Sequence, residues 1–154
     1  FFLETKKTGI LPVTDINMTR FMISLDSAVN LVFHAFKDMV GGEIYVKKIP
    51  SMKVIDIANT INSSAKLNII GIRPGEKLHE EMVSNDDANF TYEYDEYYKI
   101  LPAINDWHLD KVRIKKGKKV SKDFSYTSKN NNDWMTKEEL KNWIEKNKNS
   151  IGSM

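Results

Sequence analysis

The sequence has 154 residues, 41% of them hydrophobic, which is enough to bury a core within the size of one domain. Its richest apolar run, Ala28 to Met39, is broken by Asn30, His34, Lys37 and Asp38, well short of the roughly 18 to 20 uninterrupted apolar residues of a membrane span, so no transmembrane helix and no membrane partner are expected. A net charge of +2 from 23 basic and 21 acidic side chains lacks the strong positive field of a nucleic-acid binder, and the absence of cysteine excludes disulfides, thiolate nucleophiles and thiolate metal sites.

The first residues, Phe1 to Lys7, do not follow a signal peptide's order of basic, apolar and small-residue regions, and a reducing cytoplasm is compatible with the lack of cysteine. The expected setting is cytoplasmic. With no initiator Met, the chain reads as opening in the middle of a helix, as a fragment of something longer.

Ile10 to Thr14 reads as a short extended piece, with Asp15 and Asn17 as turn formers before the run Thr19-Arg20-Phe21-Met22-Ile23. Ser24 can cap the helix that follows, in which Ala28, Val29, Val32, Phe33, Phe36 and Met39 recur at helical spacing as one apolar face, and Gly41-Gly42 ends it. Glu43 to Val46 looks like a buried strand, and Pro50-Ser51 opens a second helix packed through Val54, Ile55, Ile57, Ala58 and Ile61. Leu67 to Ile72 is another β-branched run, stopped by the tight turn that Arg73-Pro74-Gly75-Glu76 requires. Phe90 to Tyr94 and Tyr97 to Leu101 flank Asp95-Glu96 as an aromatic hairpin. A basic stretch around Gly117 follows, from Lys111 to Lys122, read as a solvated loop or as a phosphate-binding arm. Thr136 to Glu139 matches a capping box before a helix with Leu140, Trp143 and Ile144 on one stripe. The alternation makes the chain α/β, with too few strands for a complete doubly wound domain. A glycine-rich dinucleotide turn is missing, because Gly41-Gly42 lies between a helix and a strand without a third glycine at the required offset.

Arg20 sits beside an apolar run and admits two readings, an ion pair with a carboxylate such as Asp15 or a guanidinium fork aimed at a phosphate. Arg73 raises the same choice at a strand end, with Glu76 three residues on, either as its ion-pair partner or as a separate acceptor on the same rigid turn. The histidines, His34, His79 and His108, are isolated, and His79 to Val83 fails the zinc-protease helix pattern at its fifth position. Asp86-Asp87 lacks further oxygen donors at loop spacing. No metal site and no catalytic residue are expected on this chain.

Pro12-Val13-Thr14-Asp15 with Met18-Thr19-Arg20-Phe21, then Gly41-Gly42-Glu43-Ile44 with Lys48-Ile49-Pro50-Ser51-Met52-Lys53, then Ile70 to Glu80, together resemble one family. It is the inverting UDP-N-acetylglucosamine 4,6-dehydratases of polysaccharide biosynthesis, within the extended short-chain dehydrogenases/reductases. The resemblance runs from the first residues to Tyr126-Thr127-Ser128 and Trp134, and implies an α/β, C-terminal substrate-binding portion of an incomplete Rossmann-type protein. It implies that Arg20 and Arg73 contact a UDP diphosphate, that Glu76 contacts the ribose, and that Thr14 lines the uridine end. It further implies oxidation of the sugar at C4, elimination of water across C5 and C6 and return of the hydride with inversion at C5. NADP and the active-site residues for those steps would belong to an N-terminal part, so the isolated chain is expected to be inactive. The substrate portion is expected over residues 1–110, with residues 111–154 as the basic loop and a helix packing on it. Expected partners are a UDP-sugar and, in the complete enzyme, further copies of the protein. Two alternatives stay open: a nucleotide-sugar 4-epimerase of the same superfamily, and a non-catalytic interaction or nucleic-acid-binding module using Lys111 to Lys122.

Overall fold

The computed structural model describes residues 2–147. The elements begin with α1 (Phe2–Thr5), β1 (Ile10–Val13), β2 (Thr19–Phe21), α2 (Leu25–Asp38), β3 (Ile44–Lys47), β4 (Ser51–Lys53), α3 (Val54–Ile61) and β5 (Lys66–Ile69). They continue with β6 (Glu81–Val83), β7 (Thr91–Glu93), β8 (Tyr97–Ile100), α4 (Lys111–Ile114), β9 (Lys118–Lys119), β10 (Tyr126–Thr127) and α5 (Lys137–Lys146). The structure therefore holds more and shorter strands than the hydrophobic runs predict. Pro50-Ser51 begins a strand, β4, rather than the helix itself. The reading of Phe1 lies outside the described residues.

The chain forms two compact units that alternate along it: residues 1–22, 50–80 and 131–154 in one, 23–49 and 81–130 in the other. In the first, β1 and β5 run parallel, with Leu11 opposite Leu67 and Val13 opposite Ile69. Parallel pairing requires a crossover, and α3 supplies the helix of it. Leu11, Val13 and Ala58 form its fully buried heart, with Phe2, Val54, Ala65 and Leu67 packed around them. β2 pairs antiparallel with β4, setting Arg20 opposite Met52. Ser51 is completely buried and holds the last segment in place. Its N–H donates to the Asp133 carbonyl at 2.9 Å, its carbonyl accepts from the Met135 N–H at 2.9 Å, and its hydroxyl accepts from the Asn131 amide at 3.0 Å. These bonds bring α5 against α3, where Lys137 meets Asp56 at 3.0 Å. The Thr136–Glu139 capping box forms as the sequence predicts.

The second unit contains a four-stranded antiparallel sheet in the order β3, β8, β7, β9, in which the predicted aromatic hairpin is the central pair. β6 and β10 make a separate antiparallel pair. Val46, Ile49, Val83, Tyr98, Ile100 and Tyr126 are buried. The Tyr126 hydroxyl accepts from the Ile49 N–H and donates to the Ile49 carbonyl, each at 2.9 Å, so a backbone position just past β3 that no ladder pairs is still satisfied. α2 starts at Ser24 as expected, its side chain accepting from the Ser27 N–H. Its apolar face points outward. Val29, Val32, Phe33 and Phe36 are exposed, no residue of α2 is buried, and the polar side of the helix is the one that meets the sheet. Periodicity reports that a stripe exists and is silent about which way it faces. β3 is likewise half-buried, with Ile44 exposed, rather than buried throughout.

Candidate functional site

The four residues expected at the substrate, Thr14, Arg20, Arg73 and Glu76, lie in the first unit. Parallel β1 and β5 end at the same side, and the Ile70 N–H donates to the Val13 carbonyl at 3.0 Å, extending the register one step past β5. Half-buried Thr14 and the loop starting at Gly71 therefore leave from the carboxyl ends of adjacent parallel strands. Such ends are where α/β folds place ligands, because chains diverge there and open a crevice.

The loop is shaped by its backbone. Pro74 and Gly75 occupy the centre of a turn closed by the Glu76 N–H donating to the Arg73 carbonyl at 3.0 Å, and Gly75 has φ +84°, which an L side chain resists. The Glu76 carboxylate reaches back and accepts from the Arg73 N–H at 3.1 Å. The structure thus engages Glu76 with the backbone of Arg73. The Arg73 side chain is exposed, and no ion pair to it occurs among the described residues.

Arg20 is held differently. Its Nη1 donates to the Thr19 carbonyl at 2.7 Å and to the Leu78 carbonyl at 3.3 Å, and its Nε lies 3.4 Å from the Glu80 carboxylate. The carboxylate beside Arg20 is Glu80 rather than Asp15, because Asp15 closes its own turn by accepting from the Asn17 N–H at 2.7 Å. The Thr19 N–H donates to the Leu78 carbonyl at 3.1 Å, and the Thr19 hydroxyl lies 2.8 Å from His79 Nδ1. Arg20 is therefore tied to the far end of the loop that carries Arg73 and Glu76 near its tip. Leu78, His79 and Glu80 are the residues that reading the sequence did not assign. They lie about sixty positions from Arg20, and no local pattern signals a contact over that distance.

The second unit carries the other concentration of charge. Lys99 is completely buried, 2.5 Å from Asp38 Oδ2 and 3.0 Å from the Arg113 carbonyl, with its ammonium over the Tyr45 and Tyr94 rings. Tyr45 and Lys115 also donate to Asp38, at 2.8 and 2.5 Å. Burial alone would raise the Asp38 pKa, but the bonds from Lys115, Lys99 and Tyr45 outweigh it and hold the carboxyl well below the usual range. Burial pushes Tyr97 up to about 12, with the Asp38 charge adding to it, and raises Tyr45 and Tyr94 further. Tyrosines so held are kept protonated, the reverse of what a proton-abstracting tyrosinate needs.

The basic stretch is not simply a solvated loop. Arg113 is buried against Glu43, Asp110 and the Trp107 ring, Lys115 is bound to Asp38, and Lys119 donates to the Asn89 carbonyl in β9 next to β7. Lys116 and Lys118 stay exposed and line an open cleft of about 720 Å³ with Lys48, Glu93, Asp95 and Tyr97. No group of three or more histidines and carboxylates that could hold a metal exists among the described residues, and none of their helices is long and apolar enough to cross a membrane.

Residues 1–102 match the family model described as polysaccharide biosynthesis protein. The chain belongs to the polysaccharide biosynthesis protein family. Within that family it is 48% identical, over 136 residues, to the UDP-N-acetylglucosamine 4,6-dehydratase (inverting) of Campylobacter jejuni subsp. jejuni serotype O:2, covering 84% of this chain and 40% of that protein. It is 34% identical over 134 residues to the UDP-glucose 4-epimerase of Rickettsia canadensis, covering 84% of this chain and 39% of the epimerase. Its fold matches the X-ray structure of Pen from Bacillus thuringiensis with a TM-score of 0.76 and 28% identity, over 94% of this chain and 42% of that one. The chain spans about two fifths of the length of the relatives it matches. Its architecture is accordingly that of part of an extended short-chain dehydrogenase/reductase, as the sequence resemblance implies.

Proposed function

We propose that this chain is the UDP-sugar-binding portion of an inverting UDP-N-acetylglucosamine 4,6-dehydratase, with Arg73 and Arg20 on the diphosphate, Glu76 on the ribose and Thr14 at the uridine end. The observation that carries this reading is the exposed Arg73 guanidinium on a turn whose backbone is closed at both ends by Glu76, at the carboxyl ends of two parallel strands. A preorganised arginine fork binds a diphosphate with little ordering cost, because the loop is already fixed. Arg20 uses Nε and Nη1 internally, and its Nη2 is open among the described residues for a second phosphate contact. Glu76 spends one carboxylate oxygen on the Arg73 N–H and keeps acceptor capacity for ribose hydroxyls.

The reaction itself requires NADP, and the residues present do not fit it. Gly41 and Gly42 lie between α2 and β3, where no strand-to-helix phosphate turn exists. What these residues perform is holding: they neutralise and orient the nucleotide so that the sugar is presented to chemistry supplied elsewhere. The substrate portion is placed within residues 1–110, and the complete enzyme is taken to be cytoplasmic and oligomeric. The identity of 48% to the dehydratase against 34% to the epimerase favours the dehydratase reading. Titration of the chain with UDP and, separately, with uridine tests it. UDP should bind at least tenfold more tightly than uridine, and the advantage should vanish in Arg73→Ala. Equal affinities would sink the assignment, as would steeply salt-dependent oligonucleotide binding through Lys116 and Lys118 without UDP binding.

A further inference from the structure

We propose that His79 is the positioning residue for the two arginines: it clips the loop of residues 71–80 to buried Thr19 in β2, and so fixes where Arg20 and Arg73 stand relative to each other. Its consequence for ligand affinity rests on the reading that these arginines hold a diphosphate.

The loop is tied at its start, where the Ile70 N–H donates to the Val13 carbonyl at 3.0 Å, and it must be caught at a second point to have a direction. Packing does not supply that point. Gly71 to Gly75 and Lys77 are all exposed, and the Arg73–Glu76 turn shapes the tip without deciding where the tip points. The far end decides it.

The contacts of that end are unequal. Leu78 offers its carbonyl to the Thr19 N–H and to Arg20 Nη1, as any residue in its place would. Glu80, with its side chain 43% exposed, lies 3.4 Å from Arg20 Nε, the geometry of an ion pair worth little. The His79 bond differs, because it reaches a partner held by the core. Thr19 is 3% exposed and lies opposite Lys53 in the β2–β4 ladder, and its hydroxyl meets His79 Nδ1 at 2.8 Å. A hydroxyl both donates and accepts, so the bond forms with either tautomer of the imidazole.

Arg20 sits on the seam that this bond closes. Its Nη1 bridges the carbonyls of Thr19 and Leu78, the clipped residue and the neighbour of its clip. With the seam closed, Nε and Nη1 are spent inward and the rest of the fork is presented in one orientation. With it open, the Leu78 carbonyl is no longer held under Arg20, and the tip that carries Arg73 loses its second anchor. A diphosphate would then have to order the loop itself, and that ordering cost is subtracted from affinity. The worth of the clip bounds the loss: one neutral hydrogen bond is equivalent to about two- to tenfold in affinity.

The test titrates the 154-residue chain and its variants with UDP and with uridine, and follows amide hydrogen exchange. His79→Leu and Thr19→Val cut the same bond from its two sides, so each should weaken UDP binding about two- to tenfold and the double substitution no further. Uridine, which lacks the diphosphate, should bind the variants as it binds the parent. His79→Asn sets an amide that can donate or accept close to the place of Nδ1 and should recover most of the loss, whereas His79→Gln, whose amide falls nearer the place of Nε2, should not. Unchanged UDP affinity in both the Leu and the Val variant would overturn the proposal, as would an Asn variant as weak as Leu, or uridine affinity falling in step with UDP. A parent chain that binds UDP no better than uridine would sink the diphosphate reading and leave the clip to be decided by exchange. The Thr19 amide, bonded to the Leu78 carbonyl, should then exchange roughly threefold or more faster in His79→Leu and return toward the parent rate in His79→Asn. An unchanged Thr19 rate in His79→Leu would overturn the clip itself.

Discussion

The Glu76 carboxylate accepts the Arg73 backbone N–H at 3.1 Å while the Glu76 N–H donates to the Arg73 carbonyl at 3.0 Å. One residue thus closes the turn that presents Arg73 and also stands where a ribose acceptor is proposed. Glu76→Gln keeps a carbonyl oxygen for the turn, and Glu76→Ala removes it. If both roles are real, the Gln variant should hold its stability and lose about three- to tenfold in UDP affinity, while Ala should lose affinity and also about 1 kcal/mol of stability. Thermal denaturation beside UDP titration separates the two. Equal UDP affinity in wild type and Gln would leave Glu76 with the turn alone.

Arg73→Ala should weaken UDP binding roughly tenfold to a hundredfold, the equivalent of a lost charge-assisted hydrogen bond of about 1.5 to 3 kcal/mol. Arg73→Lys should recover only part, since the ammonium keeps the charge and loses the fork. In a complete enzyme the effect should fall mainly on KM, because the diphosphate is held alike in ground and transition states. A variant that keeps UDP affinity and loses only thermal stability would make Arg73 a structural residue.

Asp38→Asn should cost about 3 to 5 kcal/mol at neutral pH, because it leaves buried Lys99 without its counter-charge. The pH dependence follows from the sign of the shift. The folded pKa of Asp38 is depressed by Lys115, Lys99 and Tyr45 against the effect of burial, so its stabilisation is fully present above the unfolded carboxylate pKa near 4 and is lost as pH falls below that. Urea melts of wild type should therefore lose stability below about pH 4, and the Asn variant should lose less over the same window. Parallel acid limbs for the two proteins would contradict the assignment.

Gly117→Ala tests whether the basic stretch is built or merely solvated. A Cβ there would come within 2.5 Å of the Tyr94 ring and hydroxyl, and that hydroxyl is fixed by donating to the Ile114 carbonyl at 2.6 Å. The tyrosine cannot yield without losing its bond, so a loss of about 1 to 3 kcal/mol is expected. Calorimetry would show it as a lower Tm. An unchanged Tm would mean that the segment moves freely around Gly117.

Features written within a few neighbouring residues were legible in the sequence: the Ser24 cap, the Thr136–Glu139 capping box, the hairpin across Asp95-Glu96 and the Pro74-Gly75 turn. Each depends on a backbone angle or a hydrogen bond closed locally, so residue type and spacing suffice. The exposed placement of Arg73 followed from such a turn. What joins distant segments was not legible. The tertiary structure alone decided that Glu80 and Leu78 hold Arg20, that Ser51 is a buried strand residue, and that Arg113, Lys115 and Lys119 are engaged by the fold instead of left to solvent. It also decided that the apolar stripe of α2 faces outward, because the Asp38–Lys99 pair fixes the helix by its polar side, and a 3.6-residue period is the same whichever way the stripe points.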